Sequence, residues 1–115
     1  MKVHRWKEIP IEQLNPLVTR QVLHSDQMTI ARLQLKRGAV VPRHQHINEQ
    51  ITNLMSGRLR FIFDDGETLI EAGDSLQIAP NLPHAVETLE DSVAIDMFSP
   101  TREDWIRGDD AYLRR

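Results

Sequence analysis

Apolar and polar residues alternate along this chain in short runs. Glycine, proline or aspartate interrupts each run before a helical period can build. Alternation with a period of two puts every second side chain on one face, the pattern of a half-buried strand. Residues 17–24, 28–35, 50–56, 58–63, 67–71, 75–79, 84–89 and 92–98 read as strands on this basis. In the fourth of these, Leu59, Phe61 and Phe63 share one face, while Arg58, Arg60 and Ile62 share the other. Lys36-Arg37-Gly38 and Ala72-Gly73-Asp74 mark turns. Asp64-Asp65-Gly66 marks a hairpin, because Asp-Gly supplies the positive φ angles of a tight reversal.

Many short strands with such turns predict an all-β sandwich or barrel. Only the tail departs from the pattern. Thr101-Arg102-Glu103-Asp104 has the form of a capping box with Asp in the place of Glu, and Trp105 and Ile106 are expected to pack that helical turn on the barrel. Three segments are therefore expected. Residues 1–16 form an irregular N-terminal segment lying on the barrel or on a partner subunit, 17–100 the barrel, and 101–115 a tail with a short helical turn.

Composition narrows the partners. With 115 residues the chain is one domain with a real core. A net charge of −3 gives no electrostatic reason to expect nucleic acid or an anionic membrane. No window approaches the roughly 18 apolar residues of a membrane span, and no apolar run follows the basic N-terminus, so neither a span nor a signal peptide is expected. Cysteine is absent, which removes thiolate chemistry and fits a cytoplasmic location.

The histidines carry the candidate chemistry. On a strand, His44 and His46 point the same way and can chelate together. His84, after the loop Pro80-Asn81-Leu82-Pro83, can join them from elsewhere in the barrel, and Gln50 offers an amide oxygen as a fourth donor. Alone, His-x-His is equally compatible with two surface or hydrogen-bonded imidazoles. His4 and His24 fall outside the cluster and read as surface or structural residues.

The spacing Gly38-x5-His44-x-His46-x3-Gln50-x6-Gly57 resembles the first motif of the cupin superfamily, with Gln in place of its usual Glu. Gly73 and His84 match the second motif in register, whereas Ala79, Asn81 and Thr88 replace its Pro, Gly and Asn. Residues 58–72, between the two, have the short length of small bacterial members. The resemblance implies a single-domain cupin, that is, a double-stranded β-helix or jelly-roll barrel. It also implies one divalent transition metal ion held by His44, His46, Gln50 and His84, with Zn, Ni, Mn, Fe, Co and Cu all compatible. The register to Gly57 selects Gln50 over Glu49. Four neutral ligands leave the whole charge on the metal, making it a stronger Lewis acid that is held less tightly.

Asp96 lies in the last strand with Ala94 and Phe98 on one face, opposite Val93, Ile95 and Met97. A carboxylate there is at least partly buried, either to work in a cavity or to pair with an Arg on a neighbouring strand. The ending Asp96-x-Phe98-x-Pro100-x-Arg102-Glu103-Asp104 is similar to that of the pectin-degradation cupins, which convert 4,5-unsaturated uronates to the linear 5-keto-4-deoxyuronate. That likeness implies Asp96 as the acid–base group, Phe98 as a pocket wall and Arg102 as the grip on the uronate carboxylate. Read without it, Phe98 is core and Arg102 a solvated first-turn residue. Two other functions remain open: a metal-dependent dioxygenase on a small polar substrate, and a non-catalytic sugar-binding or sensor cupin. A homodimer is expected, because the N-terminal segment suits strand exchange and the family often pairs this way.

Overall fold

The structure, a computed structural model, describes residues 1–115. Its strands are β1 Glu12–Asn15, β2 Val18–His24, β3 Thr29–Leu35, β4 Val40–His44, β5 Glu49–Phe63, β6 Gly66–Glu71, β7 Ser75–Ile78 and β8 His84–Ser99. All pairings are antiparallel. The order β1-β2-β3-β8-β5-β6 is completed by β4 on β8 and β7 on β5, a single-domain jelly roll. A helical turn, α1 Glu103–Ile106, follows, with 3-10 turns at Trp6–Glu8 and Ala111–Arg114. No helix is long and apolar enough to cross a membrane.

The two long strands organise the barrel. The sequence predicts β5 and β8 each as two strands, but both run without interruption. In β8, Glu90 and Asp91 are exposed, yet His84, Val86 and Thr88 before them and Ser92, Ala94, Asp96 and Phe98 after them face inward. Polarity in mid-strand marks an exposed stretch here, not a reversal. In β5 the partner register against β8 slips by one residue between Leu54↔Ala94 and Leu59↔Thr88. That bulge moves the inward row from Gln50, Thr52 and Leu54 to Leu59 and Phe61. Leu54, Leu59, Phe61 and Ile78 are almost fully buried, each contributing roughly 2 kcal/mol.

Gly57 sits in the bulge at φ 90°. A Cβ there would lie 2.1 Å from Ser92 Oγ and 2.4 Å from the Asp91 carbonyl oxygen. Both the backbone conformation and the close approach demand glycine. Gly57→Ala should destabilise the fold by about 3 kcal/mol. Urea unfolding measures this; a loss below about 1 kcal/mol would show that the bulge relaxes freely.

The ends of the chain differ from expectation. The N-terminal segment is not irregular throughout, because β1 pairs with β2 and Gln21 donates to the carbonyls of Trp6 and Ile9. The capping box does not form. Arg102, not Thr101, is the N-cap of α1, and no side chain caps the turn. Thr101 Oγ1 instead donates to the Ser25 carbonyl, and Asp104 is drawn to the Arg102 guanidinium. Trp105 packs on Phe98 and Ala31 as expected, but Ile106 is 54% exposed.

Candidate functional site

Strand register assembles the site. His44, at the end of β4, lies directly opposite His84, the first residue of β8. On the other side of β8, Gln50 is opposite Phe98 and Thr52 opposite Asp96. His44, His84, Gln50, Asp96 and Phe98 line one cavity of about 50 Å³, closed by Arg102, Trp105 and Tyr112. His46 joins by a different route from the one its spacing suggests. It lies two residues beyond the end of β4, and the bend that follows turns its ring toward the others. Buried Asn48 holds that bend: its carbonyl meets His46 Nδ1 at 3.0 Å, and its amide donates to the carbonyls of Pro100 and Thr101.

Each imidazole is oriented in the same way. Nδ1 of His44, His46 and His84 meets the carbonyl oxygen of Pro42 at 2.8 Å, Asn48 at 3.0 Å and Leu82 at 2.8 Å. A carbonyl accepts, so Nδ1 carries the proton and Nε2 is left with a free lone pair. One ligand atom from each ring lies within 4.8 Å of the others, a cluster that could hold a metal ion. Burial lowers the pKa of His44 and His46 to about 4, and that of His84 falls for the same reason. The rings are therefore neutral donors near pH 7.

Gln50 completes the donor set. Its Nε2 donates to Thr52 Oγ1 at 2.9 Å, which leaves Oε1 facing His46 Nε2 at 3.0 Å. With the His46 proton on Nδ1, two acceptors face one another across that gap. The contact is repulsive in an empty site and favourable around a cation, so the residues present fit a metal ion. Glu49 points away; it is exposed and accepts from Gln77. His24 bonds Thr29 Oγ1 and His4 is exposed, so neither joins the cluster.

Asp96 is buried beside this set, and its Oδ1 has no hydrogen-bond partner. Burial pushes its carboxyl up to about 6, against the opposing pull of Thr52 and Arg102. No Arg on a neighbouring strand pairs with it. The Phe98 ring lies 5.6 Å from that of His46 and 5.1 Å from that of Trp105, as a wall of the cavity.

Arg102 is not a solvated first-turn residue. It is 1% exposed, with its guanidinium carbon 4.6 Å from the Phe98 ring centroid and 4.2 Å from that of Trp105. Its Nε–Nη2 edge already grips a carboxylate: Nε donates to Asp104 Oδ1 at 3.0 Å and Nη2 to Oδ2 at 2.9 Å. Nη2 also donates to the Tyr112 hydroxyl at 2.9 Å. Burial opposes the charge, and Asp104 and Tyr112 more than compensate.

Tyr112 is the site residue that sequence reading misses. Its ring stacks on His44 at 4.6 Å, and its hydroxyl accepts from Arg102 and from Trp105 Nε1. It belongs to no motif, and its only signal is that it is the single tyrosine of the chain. Asn48 and Thr52, which orient His46 and Gln50, also carry no recognisable pattern.

Comparison with known proteins gives this geometry its relatives. The chain is 30% identical over 102 residues to the pectin degradation protein KdgF of Dickeya dadantii, covering 86% of this chain and 93% of that one. Among solved structures, KdgF from Halomonas sp. superposes with a TM-score of 0.79 at 27% identity, covering 86% of this chain and 94% of the other. An RmlC-like cupin from Shewanella frigidimarina shares the fold, with a TM-score of 0.83 at 24% identity over 91% and 96% of the two chains. Residues 31–98, from β3 through the inward face of β8, match the cupin domain model, and the chain belongs to the cupin family.

Proposed function

We propose that this protein is a metal-dependent enzyme that opens 4,5-unsaturated uronates to the linear 5-keto-4-deoxyuronate, as a pectin-degradation cupin. One observation carries the reading. A buried carboxyl with a pKa near 6 and an unpartnered oxygen shares a cavity with three neutral imidazoles, an amide oxygen and a buried guanidinium. The likeness to KdgF from Dickeya dadantii and Halomonas supports it. His44, His46, Gln50 and His84 would hold the ion. When bound, it supplies Lewis acidity toward an oxygen of the sugar.

The chain's own residues do the rest. Asp96, mostly ionised at neutral pH, takes the proton of the anomeric hydroxyl. The bond from the anomeric carbon to the ring oxygen then breaks, giving an aldehyde and the enolate of the 5-keto group. Asp96 returns the proton to carbon 4, so nothing is gained or lost overall. A carboxyl titrating near 6 suits both halves of that task, being able to hold and release a proton near neutral pH. Arg102 meets the substrate carboxylate, and Phe98 keeps its guanidinium plane and the His46 ring in place.

Metal removal tests the reading. Protein loaded with Ni, Zn, Mn or Fe should remove the conjugated double-bond absorbance of 4,5-unsaturated galacturonate faster than the spontaneous rate. Chelation should abolish the difference and re-addition restore it. His84→Ala should retain no ion after dialysis, whereas the native chain retains one. A rate equal to the spontaneous one with every metal would sink the proposal.

A further inference from the structure

The cavity holds about 50 Å³, room for about four waters. Pockets for sugar-sized ligands are several times larger, on the order of 300 Å³ or more. One wall of it is the C-terminal 3-10 turn. Tyr112 lies across His44, and Leu113 packs against the clusters around both Phe61 and Trp105.

What Tyr112 occupies is specific. A guanidinium has five N–H donors that form more than one two-pronged edge. Asp104 takes the Nε–Nη2 edge of Arg102. The remaining hydrogens of Nη2 and Nη1 form the end that a second carboxylate would take, and the Tyr112 hydroxyl accepts the Nη2 half of it at 2.9 Å.

Polar side chains also hold the turn. Asp110 accepts from Arg20 Nη2 at 2.8 Å and from Arg114 at 3.1 Å and 3.2 Å. Burial raises the Asp110 pKa, but these bonds outweigh it and keep the group ionised. Asn15 donates to the carbonyls of Leu113 and Arg115. Before this latch stands Gly108 at φ +79°, with open space around its Cβ position. That residue can absorb a change in backbone angle without a clash.

We propose that residues 109–115 form a displaceable cover in which the Tyr112 hydroxyl holds the end of Arg102 that a carboxylate ligand takes, so that Tyr112 competes with the ligand and sets which anions enter. The competition rests on Arg102 receiving a carboxylate, as in the proposed function; the cover does not. Opening the turn frees the guanidinium end, uncovers the His44 face and enlarges the cavity in one movement. The Arg20–Asp110–Arg114 latch limits how often this occurs.

Two measurements on the full chain test this. With Trp6→Phe as background and excitation beyond the tyrosine band, only Trp105 fluoresces, and the closed turn shields it from acrylamide. Arg114→Ala, which removes the exposed half of the latch, and Asp110→Asn should each raise the quenching constant about threefold or more while circular dichroism stays unchanged. Unchanged quenching in a folded Arg114→Ala protein overturns the cover. Tyr112→Phe keeps the ring and loses the hydroxyl. It should bind D-galacturonate and acetate about tenfold more tightly than the native chain. Equal or weaker binding of both overturns the competition. Tighter acetate with no galacturonate binding in any variant upholds the competition and removes the uronate reading instead.

Discussion

Asp96→Asn should slow the proposed uronate conversion by about two to four orders of magnitude, with metal content unchanged. The same substitution should make the metal-free protein more stable at pH 8. Both effects come from the burial that raises the Asp96 carboxyl from 3.8 to about 6. Between those values the folded chain holds a proton that the unfolded chain has lost. Stability therefore falls as pH rises through this window, and the cost is complete above pH 6. Each pH unit of displacement is about 1.4 kcal/mol, so ionised Asp96 costs the fold on the order of 3 kcal/mol. Asparagine never ionises and escapes that cost. Urea unfolding should show Asp96→Asn gaining about 1–3 kcal/mol over the native chain at pH 8 and little at pH 4. An equal difference at the two pH values would show that the carboxylate is ionised without penalty. Preserved turnover would remove Asp96 from proton transfer.

Arg102→Ala should be the most damaging change to site and fold together. Its guanidinium lies against Phe98 and Trp105 and forms the forked pair with Asp104. Removing it leaves the Asp104 carboxylate without its partner and a gap beside the Phe98 and Trp105 rings. A loss of about 3 kcal/mol follows, because one member of a largely buried pair is left alone. For a domain of this size that lowers Tm by roughly 12 °C or more. Arg102→Lys separates the two roles. Lysine keeps the charge but cannot form the fork or the flat stack. It should raise KM for the uronate about tenfold or more, with a smaller fall in kcat. If alanine and lysine variants retain native KM, Arg102 serves the tail alone and the carboxylate grip lies elsewhere.

The alternation of side chains made most of the barrel legible. The inward row Ala94, Asp96 and Phe98 reads directly from a period of two; motif spacing singles out His44, His46 and His84, although His46 reaches the cluster from a bend and not from a strand. What escaped was set by non-local pairing. Glu90 and Asp91 look like a turn, yet β8 continues through them because β5 supplies partners on both sides. β4 carries Pro42 and no fully buried side chain, so no periodicity announces it. Its pairing with β8 is nevertheless what sets His44 against His84.

The tail shows the limit most clearly. Thr101 and Asp104 have the local form of a capping box. Each found a stronger partner far from that role, in the Ser25 carbonyl and the Arg102 guanidinium. Arg102, expected to grip a substrate carboxylate, likewise has one of its two-pronged edges already taken by Asp104 from within the chain.

The barrel and the buried position of Asp96 follow from a periodicity that the chain carries locally, and the motif spacing that resembles the cupins singles out His44, His46 and His84 before any of them is placed. The proton positions on the imidazoles, the Gln50 oxygen facing His46 and Tyr112 across the site arise only on folding. Those depend on which backbone carbonyls and side chains meet after folding. Tyr112 and Arg102 meet only because the tail folds back over the barrel, stacking its ring on His44 and closing the cavity.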